Sequence, residues 1–321
     1  MKLEAKQFLV TAIVSFFTVL TVNSYAEVST MGAKGSDRTA VDSEDSGEGC
    51  TIEKFSVYSK SMDREIKVIV ILPPEYKSKP DKKYPILYTF HGMGAPYDTF
   101  SQMSPLRKAL KDKPMIVTCM DADRASWYLD AANLQKDYSN EGKKKGDPKL
   151  PPVKSLFTTF FFDEFIPCVD KYYRVNSSQR MMTGFSMGGF GAFHYMLTKP
   201  GMFASVSSLS GGFSSLIDDD SGRKWMGNLL GSFSQNRAKY EETDLYYRIK
   251  KLAAKKEKLP LMFLHCGTED GLMASNVAMN DCLQKNGFSS ELLKTAGKHD
   301  WAFWVGASKG VIDFHWKSLK Q

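Results

Sequence analysis

The segment Gly184-Phe185-Ser186-Met187-Gly188 constrains the fold of this chain more than any other stretch. It fits the pattern Gly-x-Ser-x-Gly and stands between an apolar run that predicts a strand and a run typical of a helix. A strand that turns directly into a helix strains the backbone of the serine, and bulky side chains two residues away on either side would clash. The two glycines therefore predict a tight turn that exposes the Ser186 hydroxyl beside a helix N-terminus, which favours negative charge. Ser186 is a candidate nucleophile, and nucleotide-binding patterns of the G-x-G-x-x-G and G-x-x-x-x-G-K types are absent here.

Strand and helix signals alternate along the rest of the chain. Apolar runs of the kind that are buried on both faces of a sheet end in glycine-containing loops. We expect strands at residues 54–59, 65–73, 84–92, 114–122, 179–185, 203–212, 259–267 and 290–297, and helices at 155–173 with a kink at Pro167, 187–199 and 301–320. This alternation predicts a mainly parallel central sheet with helices on both faces, and residues 213–250 predict a small helical cap. Functional groups of such sheets gather at the carboxyl ends of the strands.

A serine nucleophile needs a base, and the chain offers five histidines. His299 follows the last predicted strand and precedes the last helix, which is where the base of a chain ordered serine, acid, histidine must lie. His91 is expected to shape its own loop, and His194, His265 and His315 are expected to be packed or hydrogen-bonded in the interior. His299 is therefore the candidate base.

The histidine in turn needs an acid that fixes its tautomer and stabilises the imidazolium. The loop after the preceding predicted strand offers two adjacent carboxylates, Glu269 and Asp270. Adjacent side chains point in different directions, so only one of them can face the histidine. We expect Asp270 to be the acid, with Glu269 as the alternative, and we expect Asp300 to cap the final helix.

Acyl transfer also needs hydrogen-bond donors for the oxyanion. The backbone N–H of Met187, directly after the candidate nucleophile, supplies one. The glycine loop "HGMG" at residues 91–94 lets its backbone approach a substrate carbonyl closely. The N–H of Met93 is the expected second donor, with Gly92 as the next choice.

Five segments together resemble one family. They are "HGMG", "DADRASWY" at residues 121–128, "GFSMGG", "CGTEDGL" at 266–272 and "GKHDWAFW" at 297–304. In this order and at these strand ends, they are similar to the esterase D-like branch of the α/β-hydrolases. That branch includes feruloyl esterases, acetyl xylan esterases, S-formylglutathione hydrolases and mycolyltransferases. The resemblance extends over nearly the whole chain after its first 50 residues, and it implies an α/β-hydrolase fold.

The resemblance also implies a role for each matching position. Ser186 is then the nucleophile, Asp270 the acid, His299 the base, Met187 and Met93 the oxyanion donors, and Trp127 and Tyr128 substrate-binding residues that border the cleft. Simple packing within the loop is the alternative for Trp127 and Tyr128. Residues 129–153 depart from the family, because this loop is longer and more basic than the resemblance leads us to expect.

These roles imply an exported serine esterase that hydrolyses carboxylic esters through an acyl-enzyme and requires no metal or organic cofactor. Acetyl or feruloyl groups on a polysaccharide are the expected substrates. An acyltransferase with the same triad is the first alternative. A non-catalytic binding module on a hydrolase scaffold is the second.

The N-terminal region predicts export. Residues 8–20 form an apolar run after a short charged start, and small residues precede a cleavage point after Ala26. We therefore expect a signal peptide at residues 1–26 and a secreted or periplasmic protein, with a retained anchor as the alternative. The apolar run is short for a stable membrane span. Residues 27–50 are polar and without periodicity, which predicts a disordered linker before a catalytic domain at 51–321.

Charge and cysteine content argue against a nucleic-acid-binding protein and against a zinc site. The formal net charge of +7 comes from dispersed lysines and short runs, with no basic stripe interleaved with aromatics, so we expect no nucleic-acid partner. The five cysteines form no C-x-x-C pair, so a zinc site is unsupported. Disulfide pairing and oligomeric state stay open at this point.

Overall fold

The computed structural model describes residues 37–134 and 153–320. Its strands are β1 Asp42–Asp45, β2 Thr51–Ser59, β3 Arg64–Leu72, β4 Tyr84–Phe90, β5 Ile116–Met120, β6 Asp130–Leu134, β7 Val153–Leu156, β8 Val175–Phe185, β9 Ser205–Leu209, β10 Leu261–Gly267 and β11 Ser290–Thr295. Its helices are α1 Ser104–Ala109, α2 Phe157–Thr159, α3 Ile166–Tyr172, α4 Met187–Thr198, α5 Asp220–Leu230, α6 Phe233–Thr243, α7 Leu245–Ala254, α8 Met273–Lys285 and α9 Trp301–Ser318.

Nine strands of the described residues form one sheet in the order β1-β2-β3-β5-β4-β8-β9-β10-β11. The strands from β1 to β5 pair antiparallel, and the strands from β5 through β4 to β11 pair parallel. The predicted mainly parallel sheet is therefore confirmed. Because parallel strands end at the same edge, the loops after β4, β8, β9, β10 and β11 lie side by side.

Two hydrophobic clusters cover the two faces of this sheet. Successive strand residues point to opposite faces, so Tyr88 and Phe90 of β4 contribute to one cluster and Leu87 to the other. Buried residues of α3, α4, α7 and α8 pack in the first cluster, and those of α1 and α9 pack in the second. Helices on both faces explain why the central strands are buried along their whole length.

The cap and the long helix follow the predictions with one difference in detail. Helices α5, α6 and α7 occupy the segment predicted as a helical cap. The predicted helix around Pro167 is divided into α2, a π-helical turn at Phe160–Phe165, and α3. Proline cannot donate to the carbonyl four residues back, and a wider turn just before it accommodates the missing hydrogen bond.

The prediction of a disordered linker up to residue 50 is wrong for its final part. Strand β1 pairs antiparallel with β2, and Lys54 on β2 lies 2.8 Å from the carboxylate of Glu44. All four residues of β1 are exposed, so backbone pairing at the sheet edge holds this segment without a hydrophobic side. Ordered structure therefore begins before Cys50.

Several predictions concern residues outside the described ranges. The signal peptide at 1–26, the linker up to residue 36, and residues 135–152 of the long basic loop belong to this group. The two ends of that loop, β6 and β7, pair antiparallel as a small separate sheet. In the described ranges, no helix combines the length and apolar character that crossing a bilayer requires.

Candidate active site

Ser186 occupies the turn that joins β8 to α4, as predicted. Its backbone angles, φ 55° and ψ −119°, lie in a strained region that costs about 1–3 kcal/mol for a residue with a side chain. A Cβ atom on Gly184 would lie 2.3 Å from the carbonyl carbon of Gly188, and one on Gly188 would lie 2.0 Å from the carbonyl oxygen of Phe90. Glycine is required at both positions because backbone fills the space around this turn.

His299 lies in the loop between β11 and α9 and contacts the serine. Its Nε2 atom is 3.0 Å from the Oγ atom of Ser186. The ring of Trp304 meets the imidazole edge to face, with 5.0 Å between ring centroids and 89° between planes. Asp300 accepts a hydrogen bond from the N–H of Phe303 at 2.9 Å, which confirms its predicted role as the cap of α9.

Asp270 supports the other side of the imidazole. The Nδ1 atom of His299 lies 2.9 Å from Oδ2 and 3.2 Å from Oδ1 of Asp270, and Oδ1 also accepts the N–H of Leu272 at 2.7 Å. The carboxylate is fully buried, whereas the His299 side chain is 34% exposed. An ionised carboxylate only accepts hydrogen bonds, so Nδ1 carries the hydrogen and Nε2 is free to accept the serine proton.

The alternative acid does not reach the histidine. Glu269 is exposed and forms a loose ion pair with Lys298 at 3.7 Å. Its side chain therefore points away from the imidazole, as expected for a neighbour of Asp270. The arrangement that the structure brings together is Ser186, His299 and Asp270.

The glycine loop after β4 lies directly against the candidate nucleophile. A Cβ atom on Gly92 would lie 3.3 Å from Cβ of Ser186 and 2.6 Å from the ring of Phe185. The loop is closed by hydrogen bonds from Gly94 N to Arg124 O at 2.8 Å and from Ala95 N to Gly92 O at 3.1 Å. Within residues 37–134 and 153–320, no acceptor binds the backbone N–H of Met93 or of Met187. Both groups remain available to a substrate oxygen.

His91 holds this loop from behind. Its buried ring donates from Nδ1 to the carbonyl of Gly92 at 2.9 Å and accepts the N–H of Ala122 at Nε2, at 3.1 Å. The hydroxyl of Tyr128 donates to the carbonyl of His91 at 2.9 Å. The expectation that His91 shapes its loop is therefore confirmed.

The prediction that Tyr128 borders the substrate cleft is wrong. Its side chain is completely buried, and its ring meets those of Phe90 and Tyr195 edge to face. Its backbone adopts a left-handed conformation with φ 60°. Trp127, with φ 51°, is 7% exposed, and its ring packs against Phe190 and Gly212. The packing alternative thus describes Tyr128, and Trp127 contributes at most a narrow edge to the cleft.

Asn276 on α8 is a supporting residue that the sequence analysis missed. Its amide accepts from Gly211 N at 3.1 Å and donates to Gly211 O at 3.0 Å. Gly212 N then donates to the carbonyl of Ser186 at 3.0 Å, which fixes the loop after β9 beside the nucleophile turn. A single asparagine inside a helix has no sequence signature, so no signal could have found it.

The other histidines are structural. His265 is paired with the hydroxyl of Thr295 at 2.8 Å, and His315 lies between the hydroxyls of Ser205 and Ser207 at 2.8 and 2.9 Å. Burial lowers the pKa of His265 and lowers the pKa of His315 to about 3. These rings stay neutral at physiological pH and lie away from the serine.

The described residues hold no group of three or more His, Cys, Asp or Glu side chains with the arrangement of a metal site. All five cysteines are free thiols, and burial raises the pKa of Cys50 to about 11 and of Cys119 to about 12. Buried, protonated thiols of this kind are poor nucleophiles.

Comparisons with known proteins identify similar esterases. Residues 59–307 match the model of the Esterase family. Esterase Rv1288 of Mycobacterium tuberculosis is 34% identical over 148 residues, which cover 45% of this chain and 28% of that protein. The chain thus spans less than a third of the length of that relative. The acetyl esterase of Caldicellulosiruptor saccharolyticus is 23% identical over 286 residues, which cover 83% of this chain and 98% of that enzyme.

A solved structure supports the fold. An S-formylglutathione hydrolase from Agrobacterium tumefaciens superposes with a TM-score of 0.71 at 16% identity, covering 88% of this chain and 99% of that one. At this identity the likeness concerns architecture rather than substrate. The family match extends over most of the chain and includes every segment that builds the site. The chain belongs to the Esterase family and has the α/β-hydrolase fold.

Proposed function

We propose that this protein is an exported serine esterase that hydrolyses carboxylic esters through an acyl-enzyme intermediate. The observation that carries the proposal is the continuous hydrogen-bonded chain from Ser186 Oγ through His299 to the buried Asp270 carboxylate. The strained, glycine-flanked turn that holds the serine supports the same conclusion. Family membership supports ester hydrolysis as the reaction.

In the first half of the reaction, Ser186 Oγ attacks the ester carbonyl carbon while Nε2 of His299 takes its proton. The negative charge that develops on the carbonyl oxygen is stabilised by the N–H groups of Met187 and Met93. Asp270 stabilises the imidazolium that forms. When the tetrahedral intermediate collapses, the bond to the alcohol oxygen breaks, and His299 returns its proton to the leaving alkoxide.

In the second half, a water molecule attacks the acyl-enzyme, and His299 takes one of its protons. Collapse of the second intermediate releases the carboxylic acid and returns the proton to Ser186 Oγ. An alcohol in place of water would make the same chemistry an acyl transfer. The 34% exposure of His299 supports water as the acceptor, because solvent reaches the base directly.

The proposed substrates are short acyl esters on a polysaccharide, with acetyl as the first choice and feruloyl as the second. The acetyl esterase relative, which matches over 83% of this chain, supports the acetyl ester. The predicted signal peptide supports an extracellular or periplasmic substrate.

The decisive experiment is replacement of the nucleophile. Ser186→Ala is expected to lower turnover of p-nitrophenyl acetate by at least about a thousandfold and to abolish labelling by a fluorophosphonate probe. Ser178→Ala, at an exposed position of β8, is the matched control and is expected to leave both unchanged. Labelling of the Ser186→Ala protein at the wild-type rate would refute the nucleophile assignment. Product analysis with a sugar alcohol present separates hydrolysis from acyl transfer.

A further inference from the structure

A second cleft lies apart from the serine site. It has a volume of about 640 Å³ and lies between α4, α6 and α7, with residues 129 and 130 on one wall. None of the three candidate triad residues lines it. Its polar walls include Thr158, His194, Thr198, Glu242, Tyr247 and Arg248. The volume falls in the range of sites that hold a small molecule or a short sugar segment.

Arg248 on α7 forms the most unusual part of the wall. One terminal nitrogen donates to Nδ1 of His194 at 2.8 Å and the other to Oγ1 of Thr198 at 3.0 Å. Both partners are neutral acceptors, because burial and the nearby Arg248 charge hold the pKa of His194 well below its usual range. Burial lowers the pKa of Arg248 to about 10, so the guanidinium stays charged at neutral pH. In the described part of the chain, no carboxylate lies within ion-pair distance of it.

The acidic groups around the cleft balance this charge only in part. Both oxygens of Asp130 accept hydrogen bonds from Thr158 and Thr159, and Glu241 is paired with Arg237 at 2.9 Å. Glu242 is exposed at the rim, and its negative charge raises the pKa of Arg248, but the described residues show no ion pair between the two side chains. Three exposed cations also line the cleft, namely Lys239, Lys251 and Lys255. Arg248 therefore lines a cleft whose charged side chains carry an excess of positive charge.

We propose that this cleft binds a carboxylate-bearing sugar unit, whose carboxylate is held by Arg248. The planar guanidinium presents paired donors that match a carboxylate, and two of its N–H groups are already fixed by His194 and Thr198. The ring of Tyr247, which is 38% exposed, offers an apolar face of the kind on which a sugar ring packs. The exposed carboxylate of Glu242 provides hydrogen-bond acceptors for sugar hydroxyls.

The identification of the carboxylate as part of a sugar rests on the proposed function. An esterase that acts on polysaccharide would meet acidic sugar units on the same chain that carries the acyl ester. Residue 194 lies eight positions beyond Ser186 along α4, or about 12 Å at the usual helical rise. A polysaccharide longer than one sugar unit covers that span.

The test uses binding rather than turnover, so its outcome does not depend on esterase activity. A xylo-oligosaccharide carrying a glucuronic acid branch and the same oligosaccharide without it are titrated by calorimetry into the Ser186→Ala protein. We expect the acidic form to bind at least about tenfold more tightly, because its carboxylate accepts charge-assisted hydrogen bonds from the guanidinium. Arg248→Gln keeps a donor for His194 but removes the charge, and it is expected to abolish the difference.

Lys250→Gln is the matched control, since Lys250 is an exposed lysine on the same helix that does not line the cleft. It is expected to preserve the full preference for the acidic form. Equal affinities of the two oligosaccharides for the starting protein would overturn the inference, as would a preserved preference in a folded Arg248→Gln protein. If thermal unfolding shows that Arg248→Gln is unfolded, Lys251→Gln combined with Lys255→Gln is measured instead. A several-fold loss of preference in that variant supports the site, and no change contradicts it. Failure of binding in an active esterase would leave the proposed function intact.

Discussion

Replacement of Asp270 by asparagine tests the electrostatic core of the proposed mechanism. The substitution keeps the shape of the side chain but removes the charge that stabilises the His299 imidazolium. At the observed 2.9 Å and an effective dielectric constant of about 20, the lost attraction is about 6 kcal/mol. The His299 side chain is 34% exposed, so water screens part of this interaction. We therefore expect kcat to fall by about 10³–10⁴-fold, since each 1.36 kcal/mol corresponds to about a factor of ten.

The assay is kcat and KM for p-nitrophenyl acetate, with thermal unfolding as the check on folding. Glu269→Gln is the matched control, because this neighbouring carboxylate is exposed and is paired with Lys298. It is expected to retain activity within about twofold. If Asp270→Asn folds and keeps more than about a tenth of the wild-type kcat, the imidazolium is not stabilised in the way the geometry indicates. An equal loss in Glu269→Gln would show that the acid has been assigned to the wrong residue.

Two further predictions concern the support of the site and the pH dependence of stability. Tyr128→Phe removes the hydrogen bond to the His91 carbonyl, so kcat for p-nitrophenyl acetate is expected to fall severalfold with KM nearly unchanged. Tyr195→Phe loses a comparable buried hydrogen bond to the carbonyl of Phe157 and is expected to lower stability alone. Equal kcat values for the two variants would contradict this. His315 has its pKa lowered to about 3 by burial, so the unfolded chain binds a proton that the folded protein does not between about pH 6.5 and 3. This group is therefore expected to lower the free energy of unfolding by up to about 1.4 kcal/mol per pH unit on acidification. In urea denaturation, His315→Gln should show a smaller decrease of this free energy per pH unit. An unchanged decrease would contradict the prediction.

The three groups of the candidate triad were predictable because each one is fixed by local chain signals. Ser186 and Asp270 follow strands whose apolar character is plain in the sequence, and His299 follows the more polar strand β11. A parallel sheet brings its strand ends to one edge, so positions along the chain translate into proximity. Alternation of adjacent side chains predicts that only one of Asp270 and Glu269 faces the histidine, and the structure places Asp270 there. The distances between these groups were not predictable, because they depend on turns of a few residues each.

The errors arose where burial depends on backbone conformation rather than on composition. Tyr128 lies on a loop near the site, and an aromatic residue there is compatible with either a cleft wall or a buried support. Both Trp127 and Tyr128 adopt a left-handed backbone conformation, and nothing in the sequence signals it, since neither residue is a glycine. Strand β1 is the opposite case: its four polar residues predict disorder, yet backbone pairing with β2 needs no apolar side chain.

The hydrogen bonds that support the glycine loop could not be predicted from sequence patterns. Arg248 donates to His194, whose other nitrogen lies 3.3 Å from the Thr158 hydroxyl; that hydroxyl donates to the carbonyl of Tyr128. The Tyr128 hydroxyl then donates to the carbonyl of His91, whose ring donates to Gly92 beside the nucleophile. These residues come from separate segments of the chain, and each link depends on an approach of about 3 Å. A continuous chain of hydrogen bonds therefore connects the second cleft to the glycine loop. For this reason, binding and turnover should be measured separately in every variant of Arg248.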